Sequence, residues 1–241
     1  MADFYQNGIV TTLHNLTDRP VEDLERELMS FSRLRPMSLV LPSLFSELEG
    51  PALSNIIDEV AQVPYLNEIV IGLDRADQSQ YEFAQKFFSK LPQHHRILWN
   101  DGPRLRKLDE MLAEKGLSPT EMGKGRNVWY CYGYVLASGR AESVALHDCD
   151  IVTYDRSLLA RLIYPVAHPG FNYVFGKGYY TRIAEQKMNG RVSRLLVTPL
   201  LRALKKVYGS LDFLEYLDSF RYPLSGEFSM RADALNDIRI P

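Results

Sequence analysis

Short apolar runs of strand length recur along the chain, separated by stretches in which apolar residues return at helical spacing. MSLVL (37–41), LNEIVIGL (66–73), RILW (96–99) and SVALHDCD (143–150) predict four strands. Pro42 is expected to end the first. The fourth is expected at the sheet centre, because Val144, Ala145 and Leu146 are apolar on both faces. Between them, Leu53, Ile56, Ile57 and Val60 share one face of a helix over Pro51–Val63. Further helices are predicted over Tyr81–Phe88, Leu105–Leu112 and Arg126–Ala137, with a Gly- and Pro-containing loop at 116–125. This succession implies an α/β fold with a mostly parallel sheet flanked by helices.

Residues 1–35 read as an N-terminal helical extension and 36–241 as the main domain. Thr17 and Asp18 are N-cap types, Pro20 suits a first turn, and Val21, Leu24, Leu28 and Phe31 form one apolar stripe. Such a helix packs on the domain, or on a second subunit in a homodimer. Beyond residue 150 the order is less regular: a helix over Asp155–Tyr164, an aromatic strand over 171–180, and a helix over Arg191–Val207 broken near Pro199.

The chain has 241 residues, 46% hydrophobic and 24% charged, with a formal net charge of −2. That balance argues against nucleic acid as a partner. Cys131 and Cys149 read as reduced thiols. No run approaches a membrane span, and the start lacks the basic and apolar regions of a signal peptide, so the expected location is the cytoplasm.

The strongest chemical motif is HDCDIVTYD. In a strand, Asp148 and Asp150 share one face and His147 and Cys149 the other. At the carboxyl end of a buried strand, where open α/β sheets bind ligands, two such carboxylates repel unless a cation joins them. Mg²⁺ or Mn²⁺, with a diphosphate completing the shell, resolves the conflict. In EMGKGRNVW, Gly123 and Gly125 flank Lys124 before a helix, so backbone N–H groups and an ammonium can face a phosphate. In MNGRVSRLL, Arg191, Ser193 and Arg194 sit in a first helical turn, again suited to an anion. In RYPLSGEFSM, a turn presents Glu227. Against these stand plainer readings: a polar strand end, a linker, a solvated helix start and a surface turn. The Walker A, GxGxxG and GxSxG patterns are absent, His94 and His95 lack a third ligand at zinc spacing, and Tyr130, Tyr132 and Tyr134 read as packing residues.

Taken in order, these segments resemble the glucosyl-3-phosphoglycerate synthase family and, more distantly, the mannosylglycerate synthases. The likeness runs from about Met37 onward, and PLSGE (223–227) and GRVSRLLVTPLL (190–201) are its most distinctive stretches. It implies a GT-A fold, the Rossmann-like fold of nucleotide-diphospho-sugar transferases. It also implies hexosyl transfer, with glucose as the sugar, from a UDP- or GDP-sugar to 3-phosphoglycerate or a similar small phosphorylated acid, with retention. By position, Pro42 and Glu47 match the first-strand nucleotide loop, although the family's central Asn is replaced. Asp74 falls at the nucleoside, and Lys124 matches the lysine that approaches the donor. Asp148 and Asp150 match the metal-binding pair, with Asp150 the direct ligand. Gly190, Arg191 and Ser193 match the segment that holds the acceptor phosphate, and Glu227 the glutamate near the transferred sugar. Related chains continue past IRIP to a metal-binding histidine, so the domain reads as C-terminally incomplete. The rivals are a nucleotidyltransferase, which would release pyrophosphate, and a non-catalytic nucleotide-sugar-binding module.

Overall fold

The computed structural model describes residues 10–16, 18–119, 121–180, 183–184, 187–188 and 192–238. By contacts the chain divides into two units. The larger takes in Arg19–Gly176 and the chain from Gly226 onward; the smaller takes in the described residues up to Asp18 and those of Lys177–Ser225.

In the larger unit, β1 (Met37–Leu44), β2 (Leu66–Asp74), β3 (His95–Trp99) and β4 (Ser143–Leu146) form a parallel array. β5 (Phe175–Lys177) and β8 (Phe228–Arg231) complete a six-stranded sheet of order β3-β2-β1-β4-β8-β5, with β8 antiparallel to β4. The expected central place of the fourth strand is therefore found. Around the sheet stand α1 (Val21–Phe31), α2 (Pro51–Val60), α3 (Gln78–Phe88), α4 (Pro103–Ala113), α5 (Lys124–Ser138) and α6 (Arg156–Ala167). One face of the sheet buries Leu39, Leu41, Ile69, Ile71 and Ala145 with Leu28, Ile56, Phe88 and Ile163 from helices α1, α2, α3 and α6. The other buries Val40, Val70, Val144 and Leu146 against Val128, Cys131 and Val135 of α5. Alternation along each strand thus supplies both layers. Helix α5 approaches closely because Gly72 has no side chain: a Cβ there would overlap the Asn127 amide, whose Nδ2 donates to the Gly72 carbonyl at 2.9 Å.

Several boundaries differ from the sequence expectation. Strand β1 runs through Pro42 to Leu44. Val40 turns its carbonyl to His147 N–H on the β4 side, so the Pro42 nitrogen, two residues on, faces that side as well. Pairing with β4 has already ended at Val40–Leu146, so the missing N–H leaves no ladder bond unmade. The fourth strand stops at Leu146, where its pairing with β1 ends, rather than at Asp150. Lys124 opens helix α5 instead of lying in a loop. The aromatic segment 171–180 is strand only at Phe175–Lys177. The cap of α1 is Pro20, with no side-chain hydrogen bond; Asp18 is not the cap, and Thr17 lies outside the described residues.

The smaller unit holds the antiparallel pair β6 (Ile183–Ala184) and β7 (Lys187–Met188), α7 (Thr198–Tyr208) and α8 (Asp212–Ser219). A π-helical turn, Ser193–Val197, precedes α7, with Thr198 N–H bonded to the Ser193 carbonyl. The expected break near Pro199 is therefore found, just before the proline, whose ring would clash with a regular preceding turn. Lys205 Nζ holds Glu215 at 2.8 Å and Asp218 at 2.9 Å, tying α7 to α8. Among the described residues no helix is long and apolar enough to cross a membrane.

Two stability predictions follow from the larger unit. Leu28 of α1 is fully buried in its core, so L28A is expected to cost about 2–5 kcal/mol in urea unfolding. His147, just past β4, is fully buried, its ring edge-on to Tyr154 at 5.4 Å, and neither ring nitrogen has a hydrogen-bond partner. Burial pushes the imidazole down to about 4, with the Asp148 charge opposing. A depressed folded-state value gives stability that is complete above the unfolded value of about 6.5 and is lost as pH falls toward 4. The loss amounts to about 3 kcal/mol. Unfolding midpoints of H147L should accordingly fall less than wild type between pH 7 and pH 4.5.

Candidate active site

The parallel strands deliver their carboxyl ends to one edge of the sheet, and the sequence-predicted residues of the larger unit gather along it. Asp74 is the last residue of β2, 3% exposed, and its Oδ1 lies 3.7 Å from Arg126 of α5. Just beyond it, Arg75 adopts φ 55°, the one non-glycine residue with positive φ among those described. Strain of that kind concentrates at functional sites. Arg75, Leu44, Phe45, Ser46, Glu49 and Gln80 line an open concavity beside the 3-10 turn Phe45–Glu49. Pro42 is buried in β1 at the root of that turn, and Glu47 within it accepts the Leu44 N–H at 2.9 Å.

Past β4 the chain leaves the ladder but keeps its alternation: His147 and Cys149 are buried, Asp148 is partly exposed and Asp150 is exposed. The alternation of burial expected of the motif is thus found outside the strand, with Cys149 and Asp150 in a turn. Asp148 Oδ1 accepts a hydrogen bond from Lys124 Nζ. Its carboxylate also lies against Gly226, where a Cβ would come within 3.0 Å of both oxygens. Burial raises the Glu47 carboxyl above its ordinary value; the Leu44 N–H and the Ser43 hydroxyl oppose this, while the charges of Asp150 and Asp148 add to it. Burial likewise raises the Cys149 thiol, with Glu47 adding to the effect, so this thiol is no nucleophile at neutral pH.

The charge pattern of helix α5 runs against ordinary helix electrostatics. Its first turn carries no acid but has Lys124 and Arg126, where the positive end of the helix dipole disfavours cations. Each cation instead faces a carboxylate at the sheet edge, Lys124 on Asp148 and Arg126 on Asp74. Such an arrangement presents N–H groups, two cations and paired acids to one region, a setting suited to a phosphate and its metal.

Does a divalent ion fit? Among the described residues no three His, Cys, Asp or Glu side chains converge as one ligand set. The two acids, with an ammonium already resting on one, suit a hard cation whose other positions go to phosphate oxygens and water. Asp150 and Asp148 would hold it.

Glu227 is 3% exposed and stands immediately before β8. Ser193 belongs to the smaller unit, where its Oγ is enclosed and has no hydrogen-bond partner among the described residues. Gly190 and Arg191 lie outside the described residues. Sequence reasoning missed Arg126 and Gly226. For Arg126 the signal was there, a second cation in a helix first turn. For Gly226 no local signal exists, because its contact with Asp148 follows from the antiparallel pairing of β8 on β4.

No protein-family model matches the chain. It is similar to curated glucosyl-3-phosphoglycerate synthases from Persephonella marina and Methanococcoides burtonii. The former is 49% identical over 240 residues, covering 100% of this chain and 59% of that protein. The latter is 40% identical over 243 residues, covering 99% and 59%. The chain thus spans 59% of the length of these curated relatives. Among solved structures it superposes on glucosyl-3-phosphoglycerate synthase from Mycobacterium tuberculosis in complex with Mn²⁺, UDP-glucose and phosphoglyceric acid. The TM-score is 0.60 at 20% identity, covering 92% of this chain and 64% of that one. Mannosyl-3-phosphoglycerate synthase from Rubrobacter xylanophilus gives 0.60 at 23% identity, covering 89% and 58%. At such identities the superpositions establish the fold, which is GT-A. By sequence along its whole length, and by that fold, the chain is akin to the glucosyl-3-phosphoglycerate synthases.

Proposed function

We propose that this chain carries the donor site of a metal-dependent, retaining hexosyltransferase that moves glucose from UDP- or GDP-glucose to 3-phosphoglycerate. The observation that carries the reading is the cationic first turn of α5 laid on Asp148 at the tip of the central strand. The kinship with synthases of that name supports it, as do the Mn²⁺, UDP-glucose and phosphoglyceric acid held by the mycobacterial protein.

Departure of the nucleoside diphosphate develops negative charge on its phosphates, and stabilising that charge is where most of the rate gain arises. When bound, a divalent cation supplies Lewis-acid stabilisation of the leaving diphosphate. Lys124 and the N–H groups that open α5 add fixed positive charge beside it. Asp74, with Arg126 behind it, Pro42 near the end of β1 and Glu47 in the turn that follows seat the nucleoside. Arg191, Ser193 and Gly190 grip the acceptor phosphate, which orients the attacking hydroxyl; such positioning contributes much of the remaining acceleration. Glu227 faces the transferred sugar. The resemblance to retaining synthases implies attack on the leaving-group face, with the donor phosphate assisting removal of the proton.

The test is a matrix of UDP- and GDP-sugars against phosphoglycerate and glycerate, with Mg²⁺ or Mn²⁺, scored by release of nucleoside diphosphate. Release with phosphoglycerate and not with glycerate is expected. D148A and D150A should each lower kcat/KM by at least about 100-fold. R191A should mainly raise the KM for phosphoglycerate, by about 10-fold, because a ground-state phosphate contact is lost. Near-wild-type transfer by both aspartate variants would defeat the reading.

A further inference from the structure

Asp148 is held from two sides, and neither contact belongs to the assignment of the pair Asp148 and Asp150 as metal ligands. On one side stands the Lys124 ammonium, half exposed, bonded to Oδ1. On the other stands the backbone of Gly226, whose missing side chain leaves room for the carboxylate and nothing more. The two anchors come from different parts of the fold: Lys124 opens α5, and Gly226 leads into β8, whose Phe228 is paired to Leu146 at the end of β4. Glu47 feels the charges of both Asp148 and Asp150, so an ammonium on Asp148 relieves part of that repulsion.

We propose that Lys124 is the resident counter-ion of Asp148, displaced when a divalent cation binds, and that Gly226 is a positioning residue that fixes the carboxylate for both partners. The proposal rests on the donor-site reading above and adds to it a competition. Cation and ammonium contend for one carboxylate; once released, Lys124 turns to the diphosphate. Metal and nucleotide therefore bind with positive coupling, since each removes a cost of binding the other. Without nucleotide, displacing Lys124 weakens metal binding; with nucleotide, the freed ammonium has an anionic partner.

The experiment is Mn²⁺ titration of the 241-residue chain, followed by the electron paramagnetic resonance signal of free Mn²⁺, with and without UDP. Turnover is not needed. For K124M, whose side chain keeps the length and loses the charge, Mn²⁺ binding without nucleotide is expected to tighten about 10-fold, and the enhancement by UDP to shrink by a similar factor. For G226A, Mn²⁺ binding is expected to weaken about 10-fold. In the D148A background G226A should have no further effect, because the carboxylate that it would displace is gone. Circular dichroism of each variant checks that it is folded.

A wild type that binds Mn²⁺ with K124M binding no more tightly would overturn the counter-ion. Equal weakening by G226A with and without Asp148 would overturn the positioning role. Absence of Mn²⁺ binding by both wild type and K124M, with and without UDP, would overturn the metal reading, and this inference with it.

Discussion

Four carboxyl groups stand at the carboxyl ends of the central strands, and the electrostatics of the sheet edge are set by how their charge is balanced. Asp148 and Asp150 follow β4, Glu47 follows β1 and Asp74 ends β2. The first turn of α5 provides the balance, with Lys124 on Asp148 and Arg126 on Asp74. Helix α5 in turn holds its place because Gly72 admits Asn127 against the β2 backbone and because Val128, Cys131 and Val135 fill the apolar layer on that face. The contacts that stabilise the fold and those that prepare the site are thus made by one helix. A cation at a helix N-terminus is unfavourable by itself. Local rules broken in this way are expected where function requires it.

The scaffold behind that edge is made by ordinary burial. Strands β1, β2 and β4 are apolar on both faces, and helices α1, α2, α3 and α6 cover the face opposite α5. Ending β4 at Leu146 matters as much as the burial. Beyond it the backbone of Asp148 to Asp150 has left the ladder, so the acids reach past the sheet edge while His147 and Cys149 remain anchored beneath. The neutral, fully buried imidazole is the root of that turn.

Much of this was legible in the amino-acid sequence. Ile56, Ile57 and Val60 recur at helical spacing and do line one face of α2; Val144 to Leu146, apolar on both faces, do sit at the centre of the sheet. The alternating burial expected of HDCD is found, with His147 and Cys149 buried and Asp148 and Asp150 more exposed, although the chain turns at Cys149 and Asp150 instead of continuing as a strand. Strand ends were less legible. Whether Pro42 stops a strand depends on which neighbour its nitrogen faces, and that is fixed by register, not by composition. The π-helical turn at Ser193–Val197 and the approach of Gly226 to Asp148 were invisible for a similar reason: both depend on backbone geometry that no local spacing encodes.

The central claim is that Asp148 and Asp150 hold a divalent cation together with the diphosphate of a sugar donor, at the place where Lys124 now rests. It is tested most directly by crystals grown with Mn²⁺ and UDP-glucose and measured at the manganese absorption edge. The account predicts an anomalous peak at coordination distance, about 2.1 Å, from a carboxylate oxygen of Asp150 or Asp148, bridged to the diphosphate, with Lys124 turned from Asp148 to the phosphates. A manganese peak away from both aspartates, or a diphosphate bound elsewhere with Lys124 still on Asp148, would contradict it.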